Sequence, residues 1–299
     1  MMKLRCLAVL WLVLLSRSNA QQPFHPEDPS WVKEVAAKPL VYSADGMGQV
    51  EVKNLVYKQA GEKQLRMKVY RPAKSRDKLP AIVFLHGGFL PPNLRTEPTE
   101  WKIFDDYGRL AAASGFVGVV INHRLYDSWA SVEKSTNDLA DAIAYVRANA
   151  DTLGADKDRL ALWAFSGGGP LLSMAIRDPQ PYIRGIVSYY ALLDLAASAA
   201  ESRSGFTEEQ LLEFSPLQQL RTSTKPIPPM FIARMGQDHA NITASVDQFL
   251  QVALAKNTTL TVINDPEGHH GFDIEDNTDA SRGVIRETME FLKIQVGGR

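Results

Sequence analysis

Apolar and polar residues alternate along Val50–Tyr57 and again along Gln64–Tyr70, with Gln-Ala-Gly-Glu-Lys between them. A period of two sends successive side chains to opposite faces of a strand, so the pattern predicts an antiparallel hairpin. From Leu79 the texture changes to short apolar runs divided by stretches of helical spacing. Ala81–Leu85, Val117–Asn122, Arg159–Phe165, Ile183–Tyr190, Met230–Ala233 and Leu260–Ile263 read as buried strands. Helices are expected over Trp101–Ser114, Val132–Ala148, from Leu171–Ile176, over Ala244–Ala255 and over Ala280–Val296. Strands and helices alternating in this way imply a mainly parallel sheet with helices on both faces. Residues 195–225 break the rhythm with small, polar and acidic side chains. A short cap over the sheet and a plain surface excursion both fit them.

The first residues have a different pattern. Lys3 and Arg5 precede ten apolar residues, Cys6–Leu15, followed by Ser-Arg-Ser-Asn-Ala. A charged start, a short apolar centre and small residues at Ser18 and Ala20 describe a secretory signal peptide cut near Ala20. The apolar run is half the ~20 residues that a membrane-spanning helix needs, so no stable membrane anchor is expected. Residues 21–49 are read as an N-terminal arm, extended over 21–40 where Pro, Gln and charge dominate, and residues 50–299 as one domain. The expected location is secreted or periplasmic.

Charge narrows the choice of partner. The 33 basic and 34 acidic side chains give a formal charge of −1. Cleavage at Ala20 removes Lys3, Arg5 and Arg17 and no acid, which moves that charge to −4. With no basic block in the chain, a nucleic-acid partner is not expected. The same cut removes Cys6, the one cysteine. No disulfide, thiol nucleophile or cysteine metal ligand is then expected in the mature chain.

The chemistry gathers around Ser166. Arg159–Phe165 runs into Ser166-Gly167-Gly168-Gly169 and then into helical spacing. A serine on a sharp strand-to-helix turn, flanked by small residues, is the pattern of a nucleophile elbow. Ala164 stands at the first small position, where glycine is usual. A serine hydroxyl needs a base, most often histidine. Of six histidines only His239, His269 and His270 follow Ser166. The pair His269-His270-Gly271-Phe272 lies beyond the last expected strand, where ligand-facing groups of such sheets sit. His270 is the preferred base and His269 the rival. For the acid, Asp238 follows a strand and a glycine turn and is preferred. Asp194, after the preceding strand, is the second choice, and Asp247 falls in a helical pattern as a surface charge. Strand Ala81–Leu85 leads directly into His86-Gly87-Gly88-Phe89. Backbone N–H groups of Gly167 and of Gly88 or Phe89 would form an oxyanion hole there, with His86 bracing the loop.

These motifs, His86-Gly87-Gly88, Ala164-Phe165-Ser166-Gly167-Gly168, Gly236-Gln237-Asp238 and His269-His270-Gly271-Phe272, together resemble the α/β-hydrolase family from about Val50 to Val296. The closing His-Gly-Phe is similar to the dienelactone-hydrolase and small-carboxylesterase branch. Dienelactone hydrolases use a cysteine, so Ser166 points to the esterases. Phe89 replaces the third glycine of the hormone-sensitive-lipase-like loop. The resemblance implies a serine hydrolase that cleaves carboxylic esters through Ser166, Asp238 and His270 and needs no cofactor. The alternatives are a peptidase like prolyl oligopeptidase and a non-enzymatic binding protein on the same fold.

Substrate identity is less legible. Phe89, Leu90, Tyr190, Leu192 and Leu193 are candidates for an apolar acyl pocket, with Phe89 and Tyr190 foremost. Trp129 and Tyr190 could stack on a sugar, which keeps acylated carbohydrates among the small-molecule esters considered. Sequons at Asn241 and Asn257 matter only in a eukaryotic host. Asp265, Glu267, His269, His270 and Asp273 match no strong metal-ligand spacing, so no metal is expected.

Overall fold

The computed structural model describes residues 28–125, 131–195 and 206–298. The proposed signal peptide, Trp129 and residues 196–205 lie outside the described residues. Eight strands form one sheet: β1 (Val50–Ala60), β2 (Lys63–Pro72), β3 (Leu79–Leu85), β4 (Val117–Ile121), β5 (Ala155–Phe165), β6 (Ile183–Tyr189), β7 (Met230–Gln237) and β8 (Leu260–His269). Their spatial order is β1-β2-β4-β3-β5-β6-β7-β8. The pairs β1–β2 and β2–β4 are antiparallel, and every other pairing is parallel. This is the α/β-hydrolase architecture expected from the alternation of strands and helices.

The helices are α1 (Ser30–Ala37), α2 (Lys102–Ala113), α3 (Val132–Ala148), α4 (Ala150–Leu153) and α5 (Ser173–Arg177), then α6 (Glu208–Glu213), α7 (Pro216–Thr222), α8 (Ala240–Ala255), α9 (Phe272–Glu275) and α10 (Asp279–Leu292). The sheet separates two cores, and the pleat decides which residue enters which. Val83, Leu85, Leu162 and Ala164 face α3, α7 and α8. Their neighbours Ile82, Phe84, Trp163 and Phe165 face α1, α2 and α10. Both faces are covered, so β3 and the second half of β5 read as continuous apolar runs. The second core is aromatic: the Trp163 ring lies 4.9 Å from Tyr189 edge-on and 5.0 Å from Tyr107. Trp163 is fully buried, and truncation to Ala would cost about 3–5 kcal/mol.

Several local readings change; β5 begins at Ala155, β7 runs on to Gln237 and the helix after Ser166 begins at Ser173. The hairpin turn is only Gly61-Glu62, because Gly61 takes a left-handed φ of 65° and lets Gln59, Ala60 and Lys63 join the ladder. The arm expected to be extended over 21–40 contains α1. Val32 packs into the aromatic core, and the Asp28 carboxylate accepts the backbone N–H groups of Arg95 at 2.7 Å and Thr96 at 2.9 Å. Strand β8 continues beyond Ile263 to His269, because Asn264, Asp265 and His269 pair with Arg234, Met235 and Gln237. Its polar residues and Pro266 are tolerated because β8 is an edge strand. The last helix ends at Leu292 and passes into a wider turn over Lys293–Gly297.

In the segment considered as a cap, α6 and α7 are the described helices. Leu217 and Leu220 of α7 are buried in the core shared with α8.

Candidate active site

Strand register brings the site together. β3 lies between β4 and β5, so the chain leaves it in one direction and later returns on its other side. A crevice beyond the carboxyl ends of strands forms at such a reversal. Leu85 pairs with Ala164, which sets Gly87 beside Ser166 two residues further on. Phe165 pairs with Tyr189, which sets Tyr190 beside Ser166 on the other flank. Gln237 pairs with His269, which sets Asp238 beside His270.

The side chains complete a hydrogen-bonded chain. Ser166 Oγ lies 3.0 Å from His270 Nε2, and His270 Nδ1 lies 2.7 Å from Asp238 Oδ1. The Asp238 side chain is 2% exposed and the His270 side chain 28%. A buried acid therefore grips the inner nitrogen while the outer one faces the crevice. Asp238 Oδ1 also accepts the His239 backbone N–H at 2.6 Å, which fixes the carboxylate at the start of α8. Ser166 itself has φ 48°, in the left-handed region that a non-glycine residue rarely enters. Such strain persists only where surrounding structure enforces it, and here β5 and the turn Ser166–Leu172 hold both sides.

Close backbone approach explains two of the glycines. A Cβ on Gly87 would lie 2.9 Å from the Ser166 Cβ, and one on Gly167 would lie 2.7 Å from the Gly88 carbonyl oxygen. The His86 loop and the elbow thus approach closely, with Gly87 and Gly88 against Ser166 and Gly167. The Gly88–Phe89 peptide is cis. His86 braces the loop as expected: its Nδ1–H donates to the Gly87 carbonyl at 2.6 Å. Its ring stacks on His123 at 3.6 Å, nearly parallel. Burial pushes the His86 pKa down to about 4 and that of His123 well below the usual histidine range. Both rings are neutral near pH 7.

The other sequence candidates lie elsewhere. His269 is exposed and faces Asp276, with Nδ1 3.1 Å from Oδ1. Asp194 is buried and accepts the Ser215 hydroxyl at 2.8 Å. Asp247, on α8, forms a salt bridge with Arg234. Leu192 and Leu193 belong to the core on the α3 side. Asp273 is buried and takes hydroxyl donors from Tyr107 at 2.6 Å and Tyr190 at 2.8 Å. Its burial raises the carboxyl pKa, against the lowering effect of those two hydrogen bonds. The five residues considered as a metal set are thus divided between different environments.

A pocket of about 400 Å³ opens above Ser166 and His270. Phe89, Leu90 and Tyr190 line it, and so do residues that the sequence pattern did not single out: Trp31 and Val35 of α1, Trp101, Phe104 of α2 and Ile274 of α9. The apolar spacing of Trp31, Val32, Val35 and Ala36 was the available signal for α1. Tyr190 contributes its ring, 4.7 Å from that of His270, while its hydroxyl is committed to Asp273. Glu275 at the pocket rim is paired with Lys38 at 2.6 Å.

The parallel sheet, the elbow at Ser166 and the reversal at β3 define an α/β-hydrolase. Within that class the chain belongs to the BD-FAE family, whose family model matches residues 67–244. The match runs from β2 into α8 and includes Ser166 and Asp238. Solved structures of esterase 2 from Thermogutta terrifontis are similar to it. The paraoxon-phosphorylated form has a TM-score of 0.66 at 21% identity over 85% of this chain and 97% of that one. The butyrate-bound form has a TM-score of 0.63 at 20% identity, over 82% and 94%. Gut esterase 1 of Caenorhabditis elegans is 24% identical over 148 residues, 47% of this chain. The match spans a quarter (25%) of that relative's length.

Proposed function

We propose that the protein hydrolyses carboxylic esters of small molecules through an acyl-enzyme on Ser166. The observation that carries this reading is the continuous chain Ser166 Oγ–His270 Nε2, 3.0 Å, and His270 Nδ1–Asp238 Oδ1, 2.7 Å. In this reading Ser166 attacks the ester carbonyl as His270 Nε2 takes its proton. The buried Asp238 holds the imidazole and stabilises its protonated form without accepting the proton. The backbone N–H of Gly167, with one from Gly88 or Phe89, receives the negative charge that develops on the carbonyl oxygen. The leaving alcohol takes the proton from His270. Water, activated by the same histidine, then releases the acid and restores Ser166.

The apolar lining between α1, α2 and the Phe89 loop supports a hydrocarbon acyl group, with Ser166 and His270 at its catalytic end. The propionate- and butyrate-bound forms of the Thermogutta esterase suit the same reading. An acylated carbohydrate is an alternative, with Tyr190 offering a ring face to the ligand. We propose also that residues 1–20 direct export, on the strength of their charge and apolar pattern.

The test is hydrolysis of p-nitrophenyl esters of increasing chain length, and of acetylated sugars, by the wild type and by Ser166→Ala. Turnover by the wild type alone is expected, and a fully active Ser166→Ala would overturn the assignment.

A further inference from the structure

Beside the Ser166–His270–Asp238 chain stands a fourth polar side chain that the proposed reaction does not use. His239 is exposed, and its ring lies 4.9 Å from that of His270. One donor atom from each of Asp238, His239 and His270 lies within 4.8 Å of the other two. We propose that these three residues form an inhibitory site for a borderline-soft divalent cation of the Zn2+ type. The inference rests on the functional reading for what the cation would inhibit, but not for its binding.

The donor set points to that class of ion. Two imidazole nitrogens and one carboxylate oxygen are the ligands that Zn2+, Cu2+ and Ni2+ accept, whereas Mg2+ and Ca2+ favour all-oxygen shells. Zn2+ binds nitrogen and oxygen at about 2.0–2.2 Å, so in a tetrahedral shell its ligand atoms lie roughly 3.3–3.6 Å apart. The three donor atoms here lie within 4.8 Å of one another. Asp238 is buried and its carboxylate is fixed by the His239 backbone N–H, so it supplies a stationary anchor. The exposed His239 ring can swing inward to close the difference. With three protein ligands, a fourth tetrahedral position is left for water.

Charge works both ways at this point. The site adjoins the first turn of α8, a 16-residue helix whose N-terminal end carries about half a positive charge. The full negative charge of Asp238 outweighs it. Occupancy would disable the proton relay by either nitrogen of His270. A cation on Nε2 takes the lone pair that receives the serine proton, and a cation on Nδ1 displaces the hydrogen bond to Asp238. On Nδ1 the ring proton must first move to Nε2 or leave to water; both changes reverse when the metal is removed, so chelation restores the relay.

Two arms test the proposal. In the first, ZnCl2 is titrated calorimetrically into Ser166→Ala and into the double variant Ser166→Ala/His239→Ala. Heat at one-to-one stoichiometry is expected in the first protein, with affinity at least tenfold weaker in the second. This arm needs no turnover, so it stands even if the esterase reading fails. In the second arm, wild type and His239→Ala are assayed against a p-nitrophenyl ester with ZnCl2, with MgCl2 and with ZnCl2 followed by chelator. Zinc inhibition of the wild type, restored by chelator, absent with MgCl2 and shifted at least tenfold by His239→Ala, supports the site. Equal zinc affinity in both titrated proteins, or no one-to-one binding in Ser166→Ala, would overturn it.

Discussion

Gln237 and His269 are register partners across β7 and β8, and this pairing sets the next residue of each strand, Asp238 and His270, side by side. Their carboxylate and imidazole meet at 2.7 Å as a consequence. The adjacent histidines therefore have different environments: His269 turns to Asp276 in solvent, and His270 turns to Ser166. His269→Ala should keep ester turnover within about twofold, whereas Asp238→Asn should lower kcat by roughly 10⁴ and His270→Ala by roughly 10⁶. Steady-state kinetics on a short-chain aryl ester checks all three. An inactive His269→Ala beside an active His270→Ala would reverse the assignment.

The contact between Gly167 and Gly88 has no room for a side chain. A Cβ at Gly167 would lie 2.7 Å from the Gly88 oxygen, so Gly167→Ala must push the Phe89 loop outward. Losing one well-placed donor of an oxyanion hole lowers kcat by about 10²–10³. That loss is expected here with circular dichroism unchanged, because the clash is confined to the loop.

The walls of the pocket should set chain-length preference. Trp31 remains 46% exposed on α1 while lining the pocket, which leaves a large apolar surface for an acyl group to cover. Trp31→Ala should lower kcat/KM for long acyl or aryl esters on the order of tenfold, with little change for acetyl esters. A uniform loss across the series would contradict this role.

Tyr190 combines a left-handed φ of 38° with a buried hydroxyl on Asp273 and a ring against His270. Removing that hydroxyl leaves a buried carboxylate short of one donor, at a cost of about 1–3 kcal/mol. Tyr190→Phe should lower the urea midpoint accordingly, with no change in m.

The stacked pair His86–His123 makes stability depend on pH. Burial lowers both pKa values in the folded state, so below about pH 6.5 the unfolded chain binds protons that the folded chain rejects. Stability from this source is full above about pH 6.5 and falls as the pH drops toward 4. The two ring nitrogens of His123 lack partners among the described residues, so His123→Phe should be tolerated near pH 7 and should flatten the acid loss. Thermal melts from pH 4 to 8 measure both effects.

Much of the fold was legible because the pleat writes burial into the sequence. β3 and Leu160–Phe165 are apolar throughout since helices cover both faces. Ser166 was legible because a strand, a serine and three glycines in succession permit the sharp turn of an elbow. The edge strand β8 was less so: Asn264 and Asp265 pair through backbone while their side chains meet solvent, so composition gave no sign of them. α1 was hidden by the Pro- and Gln-rich residues before it, and with it went Trp31 and Val35. The Asp273–Tyr107–Tyr190 cluster joins residues up to 166 positions apart, a relation that local patterning cannot carry. His270 could be preferred over His269 by its place before Gly271, but only the register of β7 and β8 shows why the two differ.

The most direct measurement is mass spectrometry of the folded protein after reaction with a fluorophosphonate. The proposed triad requires one adduct per chain, mapped by peptide sequencing to Ser166, with none in Ser166→Ala and strong slowing in His270→Ala. An unmodified Ser166 in folded protein, or an adduct on another serine that tracks ester turnover, would contradict it.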